Sequence, residues 1–257
     1  MQYEGIDVSV YQGTIDWARV ARSGIRFAMV RAGSGQNADS RAAENARGAN
    51  ANGIVLGLYW FSYAYTVEMA RAEAERLIRF ARDYDVRFPL VWDFEDASVR
   101  YAGELGVTVS RELVTAMAET FCKTVYAAGY TPMVYSNLNM LASYVDLAAI
   151  DAPVRLWLAQ WGAVLPTREP MIWQYSSTGR VDGIKGDVDL DRAWELPVMP
   201  ARRLQTLADV PSSLREETGQ LVESGALRGT GRGLDVTEDM LRAMIVAKRY
   251  TDSRTDG

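Results

Sequence analysis

Short apolar runs alternate with longer stretches in which apolar residues recur at spacings of three and four, and this alternation persists through most of the chain. The runs Gly5 to Val8, Arg26 to Ala32, Val55 to Trp60, Phe88 to Phe94, Thr131 to Tyr135, Arg155 to Gln160 and Met171 to Tyr175, with a short one near Val188, read as buried strands. The intervening stretches Ile15 to Ser23, Arg41 to Asn52, Thr66 to Tyr84, Ser110 to Ala128 and Leu138 to Tyr144 read as amphipathic helices. Eight strands suffice to close a barrel, and the later ones are joined by loops too short for full helices. The expected fold class is therefore α/β, an irregular (β/α) barrel followed by a small helical C-terminal domain.

The pattern breaks at Leu196 to Arg203, which carries two prolines. This divides the chain into a barrel over 1–197, a linker over 198–203 and a small domain over 204–257. In the small domain, Ser213 to Ser224 puts Leu214, Thr218, Leu221 and Val222 on one helical face. Thr237 to Tyr250 does the same with Met240, Leu241, Met244 and Ile245, and Thr237 is a plausible N-cap followed by Glu238 and Asp239. Gly229, Gly231 and Gly233 lie between the two helices and read as an interhelical turn, since no strand precedes them as a phosphate loop requires. Thr251 to Gly257 reads as a frayed tail. So small a unit rarely holds itself together, and it is expected to pack on the barrel or on a copy of itself.

Composition narrows the chemistry. The 257 residues include no histidine and one cysteine, which excludes Ser-His and Cys-His nucleophiles, HExxH zinc sites, Cys-rich clusters and internal disulfides. Cys122, in the apolar stretch Ala118 to Ala128, reads as a buried small hydrophobe. Acid and base work falls to carboxylates. The net charge is −5, with nine Arg or Lys against nine Asp or Glu from Pro200 onward and 19 against 24 before it. Neither part is basic, so nucleic acid is not expected as a partner. Met1 to Asp7 is polar and acidic, and no run of apolar residues is long enough to span a bilayer. The expectation is a protein made in the cytoplasm without a signal peptide and without membrane insertion.

The strand from Phe88 delivers two carboxylates at alternate positions, Asp93 and Glu95. With a period of two, these share a face with Val91, while Leu90, Trp92 and Phe94 take the other. Two like charges roughly 6 to 7 Å apart along a strand titrate as a coupled unit with one pKa raised. A carboxyl that stays protonated near neutral pH is what general-acid cleavage of an acetal needs. Barrel sites collect at the C-terminal strand ends, which gathers Asp7, Tyr59, Phe61, Asp93, Glu95, Tyr135, Gln160, Trp161, Gln174, Tyr175 and Asp189 at one mouth. Aromatic faces suit sugar rings. Trp60 and Trp92 are weighted toward barrel packing, and Trp161 is balanced between packing and substrate.

Four motifs, in order and at the right spacings, carry a family resemblance over residues 3 to 195. They are Gly5-Ile6-Asp7-Val8-Ser9 with Tyr11-Gln12-Gly13, then Asp93-Phe94-Glu95, then Leu156-Trp157-Leu158-Ala159, and finally Trp173-Gln174-Tyr175 with Val188-Asp189-Leu190-Asp191. The chain resembles glycoside hydrolase family 25, the N-acetylmuramidases or Chalaropsis-type lysozymes, which include many phage endolysins. The resemblance implies an irregular α/β barrel that cleaves the β-1,4 bond between N-acetylmuramic acid and N-acetylglucosamine in peptidoglycan, as a lysin acting on the cell wall. It implies Glu95 as general acid and Asp93 as its partner, either stabilising an intermediate formed by the substrate's acetamido group or tuning Glu95. Asp7 and Asp189 match the other acidic positions, with Asp187 left in the loop facing solvent. Arg31 stands where a Lys is common. No cofactor is implied and no metal is expected, although such an acidic cluster has the donors for Mg²⁺ or Ca²⁺. The alternatives are a non-catalytic glycan-binding module and a hydrolase of chitin-like oligosaccharides. The small domain loosely resembles one S-layer-homology unit, which implies wall anchoring or homo-oligomer formation.

Overall fold

The structure, a computed structural model, describes residues 2–255 apart from 163, 165, 167–169, 198–202, 205 and 230–232. The chain divides into two compact units, Met1–Pro197 and Val198–Gly257.

The first unit is a closed barrel of eight strands. These are β1 (Tyr3–Val8), β2 (Phe27–Ser34), β3 (Val55–Phe61), β4 (Val86–Asp93), β5 (Pro132–Asn137), β6 (Arg155–Ala159), β7 (Ile172–Gly179) and β8 (Val188–Ala193). Strands β1 to β7 follow one another in parallel register. The reversed strand β8 then closes the barrel, antiparallel to both β7 and β1. Outside lie α1 (Trp17–Arg22), α2 (Ala42–Ala51), α3 (Val67–Ala81), α4 (Asp96–Glu104), α5 (Arg111–Ala127) and α6 (Leu138–Ser143). Helix α4 is absent from the sequence expectation. Its apolar stripe is short, with only Ser98 and Ala102 buried, so periodicity hardly registers it.

The period of two sorts the strand residues as expected. Leu90, Trp92 and Phe94 join the outer core with Leu77 and Ile78 of α3 and Phe121 of α5. The Trp92 ring stacks on Phe94 at 5.0 Å. Trp60 belongs to this outer core too, so it and Trp92 are packing residues. Cys122 is fully buried there, and burial pushes its thiol up to about 12. Each such side chain taken from water stabilises the shell by about 1.5–3 kcal/mol. Inside the barrel, Phe27 and Phe88 meet at 5.1 Å between ring centroids and fill the lower half. Two glycines make room for Phe27 and for Met29. A β-carbon on Gly5 would sit 2.3 Å from the Phe27 ring, and one on Gly57 would sit 2.5 Å from the Met29 sulfur.

The second unit has its own core of Leu204, Val210, Leu214, Leu221, Leu227, Val236, Leu241 and Ile245. Helices α7 (Ser212–Glu223) and α8 (Glu238–Thr255) supply half of it. The Thr237 hydroxyl accepts from Met240 N at 3.2 Å, as an N-cap does. Three expectations change. Val222 and Met240 are exposed, because the buried stripe runs through Leu214, Thr218 and Leu221 on α7 and through Leu241 and Ile245 on α8. The expected tail is helical to Thr255. Gly229 and Gly233 both take positive φ in the turn. Gly231 and most of the expected linker, 198–202, lie outside the described residues.

Candidate active site

The acidic cavity lies at the C-terminal ends of the parallel strands and has a volume of about 190 Å³. Strand β4 ends at Asp93, and Glu95 follows in extended conformation as the N-cap of α4, so the pair stays on the inner face. The Glu95 N–H donates to Ser98 Oγ at 3.1 Å, which anchors the main chain where strand becomes helix. Strand β1 supplies Asp7. Asp189 reaches the same mouth for a different reason from the others. It is the second residue of β8, and the reversed direction of that strand puts its N-terminal end at the mouth, directly opposite Asp7. Side chains paired across an antiparallel ladder sit with β-carbons roughly 5 Å apart. Asp187 is half exposed and paired with Arg180 at 3.1 Å, on the solvent side.

Burial dominates the titration of these groups. It raises Asp7 well above the usual carboxylate range, and the charges of Asp191 and Asp189 push the same way. It likewise raises Asp93, with Glu95 adding to the shift. Glu95 is raised by burial too, against the interaction with Asp93. Asp93 is the deeper of the two. Asp189 is raised by burial and eased by Asp7.

An amide organises the opposite wall. Gln174 donates through Nε2 to Asp7 Oδ2 at 2.9 Å, while its Oε1 accepts from Tyr135 OH at 3.0 Å and from Trp161 Nε1 at 3.1 Å. The Tyr135 ring packs edge-on against Trp157 at 4.7 Å, and Tyr59 does so at 5.8 Å. Trp161 is 65% exposed, so it is not a packing residue of the barrel. On the third side, the Arg31 guanidinium lies 5.0 Å from the centre of the exposed Tyr11 ring, and its Nε donates to Asp39 Oδ2 at 2.8 Å. Asp39 also accepts from Val10 N, which ties the loop after β1 to the cavity rim. From Phe61 in the cavity wall, an aromatic row runs outward through Tyr63 at 5.2 Å to Tyr101 of α4 at 5.0 Å, with Tyr65 at 6.5 Å beyond.

Of the residues expected at the mouth, Asp7, Tyr59, Phe61, Asp93, Glu95, Tyr135, Gln174 and Asp189 line the cavity. Trp161 joins it through Gln174. Tyr175 does not. It alternates with Gln174 on β7 and so faces outward, where its hydroxyl donates to Glu4 Oε2 at 2.8 Å and Arg192 covers its ring at 4.2 Å. Gln160 takes part through its main chain, its N–H donating to Gln174 O and its carbonyl accepting from Trp173 Nε1. The expectation omitted Ser9, Tyr11, Gln12 and Trp157, which line the cavity, and Asp191, which does not line it but holds Trp157. Asp191 is fully buried, accepts from Trp157 Nε1 at 2.8 Å and is held well above the carboxylate range by burial. Its spacing of two from Asp189 was the available signal. Among the described residues, no group of three or more His, Cys, Asp or Glu is arranged to hold a metal ion. None of the described helices is long and apolar enough to cross a membrane.

Comparison with known proteins places this geometry. The sequence profile of glycosyl hydrolases family 25 matches residues 6–184. Lysozyme M1 of Streptomyces globisporus is 32% identical over 202 residues, covering 74% of this chain and 67% of that protein. The uncharacterized protein YegX of Escherichia coli O157:H7 is 32% identical over 197 residues, covering 73% and 68%. Among solved structures, the modular autolysin LytC from Streptococcus pneumoniae, in complex with a synthetic peptidoglycan ligand, matches with a TM-score of 0.66 at 25% identity. That match covers 75% of this chain and 47% of LytC, so it spans about half the length of that protein. The bacterial lysozyme from Streptomyces coelicolor matches with a TM-score of 0.57 at 27% identity, covering 76% and 93%.

Proposed function

The chain belongs to glycosyl hydrolases family 25, and from that premise we propose that it is a muramidase. It cleaves the β-1,4 bond between N-acetylmuramic acid and N-acetylglucosamine in peptidoglycan and acts as a lysin on the bacterial cell wall. The observation that carries the reading is the Asp93 and Glu95 pair, set side by side on the cavity with both carboxyls raised by burial.

The pair supplies the proton. Glu95, the less buried of the two, gives it to the glycosidic oxygen as the bond to the anomeric carbon breaks. Positive charge then grows on the sugar beside the carboxylate of Asp93. The substrate's acetamido oxygen closes onto the anomeric carbon, so no covalent ester to the protein is needed. Water opens this intermediate, with Glu95 now accepting its proton. Asp189, less buried than Asp7, offers the developing cation a further carboxylate, and Asp7, held by Gln174, lines the wall beside it. Phe61, Tyr135 and Trp161 offer ring faces to the sugars at the bond, and the row through Tyr63 and Tyr101 extends such contacts to flanking sugars. The 198–257 unit holds the enzyme to the wall or to a second copy of itself.

The test is mass spectrometry of purified peptidoglycan digested by wild type and by Glu95→Gln. Soluble muropeptides ending in reducing N-acetylmuramic acid, released by wild type alone, are expected. Loss of a general acid costs about 100-fold or more, so a variant retaining roughly a tenth of the rate would reassign the acid. A glycosyl ester trapped on Asp93 would sink the acetamido route.

A further inference from the structure

Behind the cavity, on the outer side of the barrel, α3 carries a carboxyl that the chemistry above does not use. Glu73 is only 2% exposed. Its Oε2 accepts from Ser62 Oγ at 2.5 Å and its Oε1 accepts from Tyr63 N at 3.1 Å. Burial raises Glu73 to about 7, against these two hydrogen bonds. A buried carboxyl is costly to keep, and an apolar side chain of the same size would avoid the cost.

Ser62, fully buried just after β3, is the junction. Its hydroxyl donates to Glu73 and accepts from Ala64 N at 3.1 Å. Its N–H donates to Asp93 O at 2.7 Å, and its carbonyl accepts from Ser98 Oγ at 2.7 Å. Ser98 Oγ in turn accepts from Glu95 N at 3.1 Å. The peptides that carry both reacting carboxyls are thus tied to Ser62, one directly and one through Ser98.

We propose that Glu73 is a positioning residue for the acid pair, holding Ser62 so that the main chain at Asp93 and at Glu95 keeps one placement. Glu73 gives Ser62 Oγ and Tyr63 N an oxygen each, which an amide, with one oxygen and one NH2 group, does not match. Released from it, the Ser62 hydroxyl is free to turn and the Ser62 peptide loosens. Both carboxyls then lose their placement while the wall that Gln174 holds with Tyr135 and Trp161 is untouched; Tyr63, whose N–H Glu73 also holds, bears only on flanking sugars. This inference rests on the muramidase reading.

The experiment measures kcat and KM on short, soluble, uncross-linked peptidoglycan fragments, which do not reach the Tyr63–Tyr101 row, for wild type, Glu73→Gln, Ser98→Ala and the double variant, with folding followed by circular dichroism. The glutamine keeps the shape but can accept through one oxygen only. Glu73→Gln is expected to lower kcat roughly 10- to 100-fold, the size of loss that a misplaced catalytic group produces, with KM within about twofold. The double variant is expected to fall no further than the worse single one, because both act through the same chain of contacts. A folded Glu73→Gln with unchanged kcat, or losses that multiply, would overturn the proposal. Should Glu73→Gln fail to fold, Ser98→Ala decides alone, and an unchanged kcat there is equally fatal. Fragments left intact by wild type would bring down the functional reading, and this inference with it.

Discussion

Replacing Gly5 by alanine tests the barrel floor on which Asp7 stands. The added β-carbon would lie 2.3–2.4 Å from three carbons of the Phe27 ring. Carbon atoms pack best at about 3.5–4.0 Å, so the shortfall exceeds 1 Å. Neither partner can retreat cheaply. Phe27 is fully buried and its ring already sits 5.1 Å from Phe88. Gly5 is paired on both sides, to Phe27 in β2 and to Asp191 in β8, which fixes β1 laterally. Overpacking of this kind costs about 1–3 kcal/mol. The φ of Gly5 is not positive, so alanine recovers part of that by restricting the unfolded chain, about 0.4–1 kcal/mol. A net loss of about 1–2 kcal/mol corresponds to a fall in Tm of about 2–8 °C at this chain length. Thermal melts of wild type, Gly5→Ala, Phe27→Leu and the double variant provide the measurement. The smaller leucine side chain in place of the Phe27 ring should relieve the clash, leaving the double variant at least about 1 kcal/mol more stable than the sum of the singles. A Gly5→Ala protein that melts with wild type, or strictly additive losses, would refute the argument.

Asp191→Asn should gain on wild type as pH rises. The folded Asp191 pKa lies well above its unfolded value near 3.9, so below that value both states hold the proton and nothing is lost. Above it the unfolded chain releases its proton first, and wild type loses up to about 1.4 kcal/mol per pH unit until the folded group ionises. Urea melts at pH 4 and pH 6 should show the gap widening in favour of asparagine, and a constant gap would contradict the assigned shift. Tyr101→Ala, at the outer end of the aromatic row, should raise KM roughly fivefold on long glycan strands and leave short fragments unaffected, since one aromatic contact is worth about 1 kcal/mol. Equal KM on both would remove the row from the binding surface. A chain cut after Pro197 should keep its rate on soluble fragments while binding less to whole walls or sedimenting at lower mass. Unchanged pull-down and unchanged mass would leave the second unit without that role.

Much of the site was legible because a strand has a period of two. The alternation of Leu90, Trp92 and Phe94 with Val91, Asp93 and Glu95 is local, and it placed two carboxyls on one face without reference to the rest of the chain. A second rule, that barrel sites gather at strand ends, brought Asp7 and Gln174 to the mouth. It misplaced Tyr175 because it ignores which of two neighbours faces in. Trp157 and Asp191 were visible in the motifs but have no mark in the sequence that says they touch. Their hydrogen bond joins β6 to β8 across 34 positions of chain.

What the chain determined by itself was the eight strands and the barrel helices other than α4, the exclusion of histidine chemistry and cysteine clusters, and the pairing of Asp93 with Glu95 on one face. These follow from side-chain periodicity and composition, which are properties of the sequence. Tertiary structure decided the direction of β8, and with it the arrival of Asp189 opposite Asp7. Parallel and antiparallel strands share the same period of two, so only closure of the barrel distinguishes them. It also decided where the Glu73 carboxyl lies, buried against Ser62. Glu73 reads in sequence as one more polar residue of an amphipathic helix, and only the packing of α3 against the ends of β3 and β4 brings it to Ser62, where burial and two donors give it something to hold.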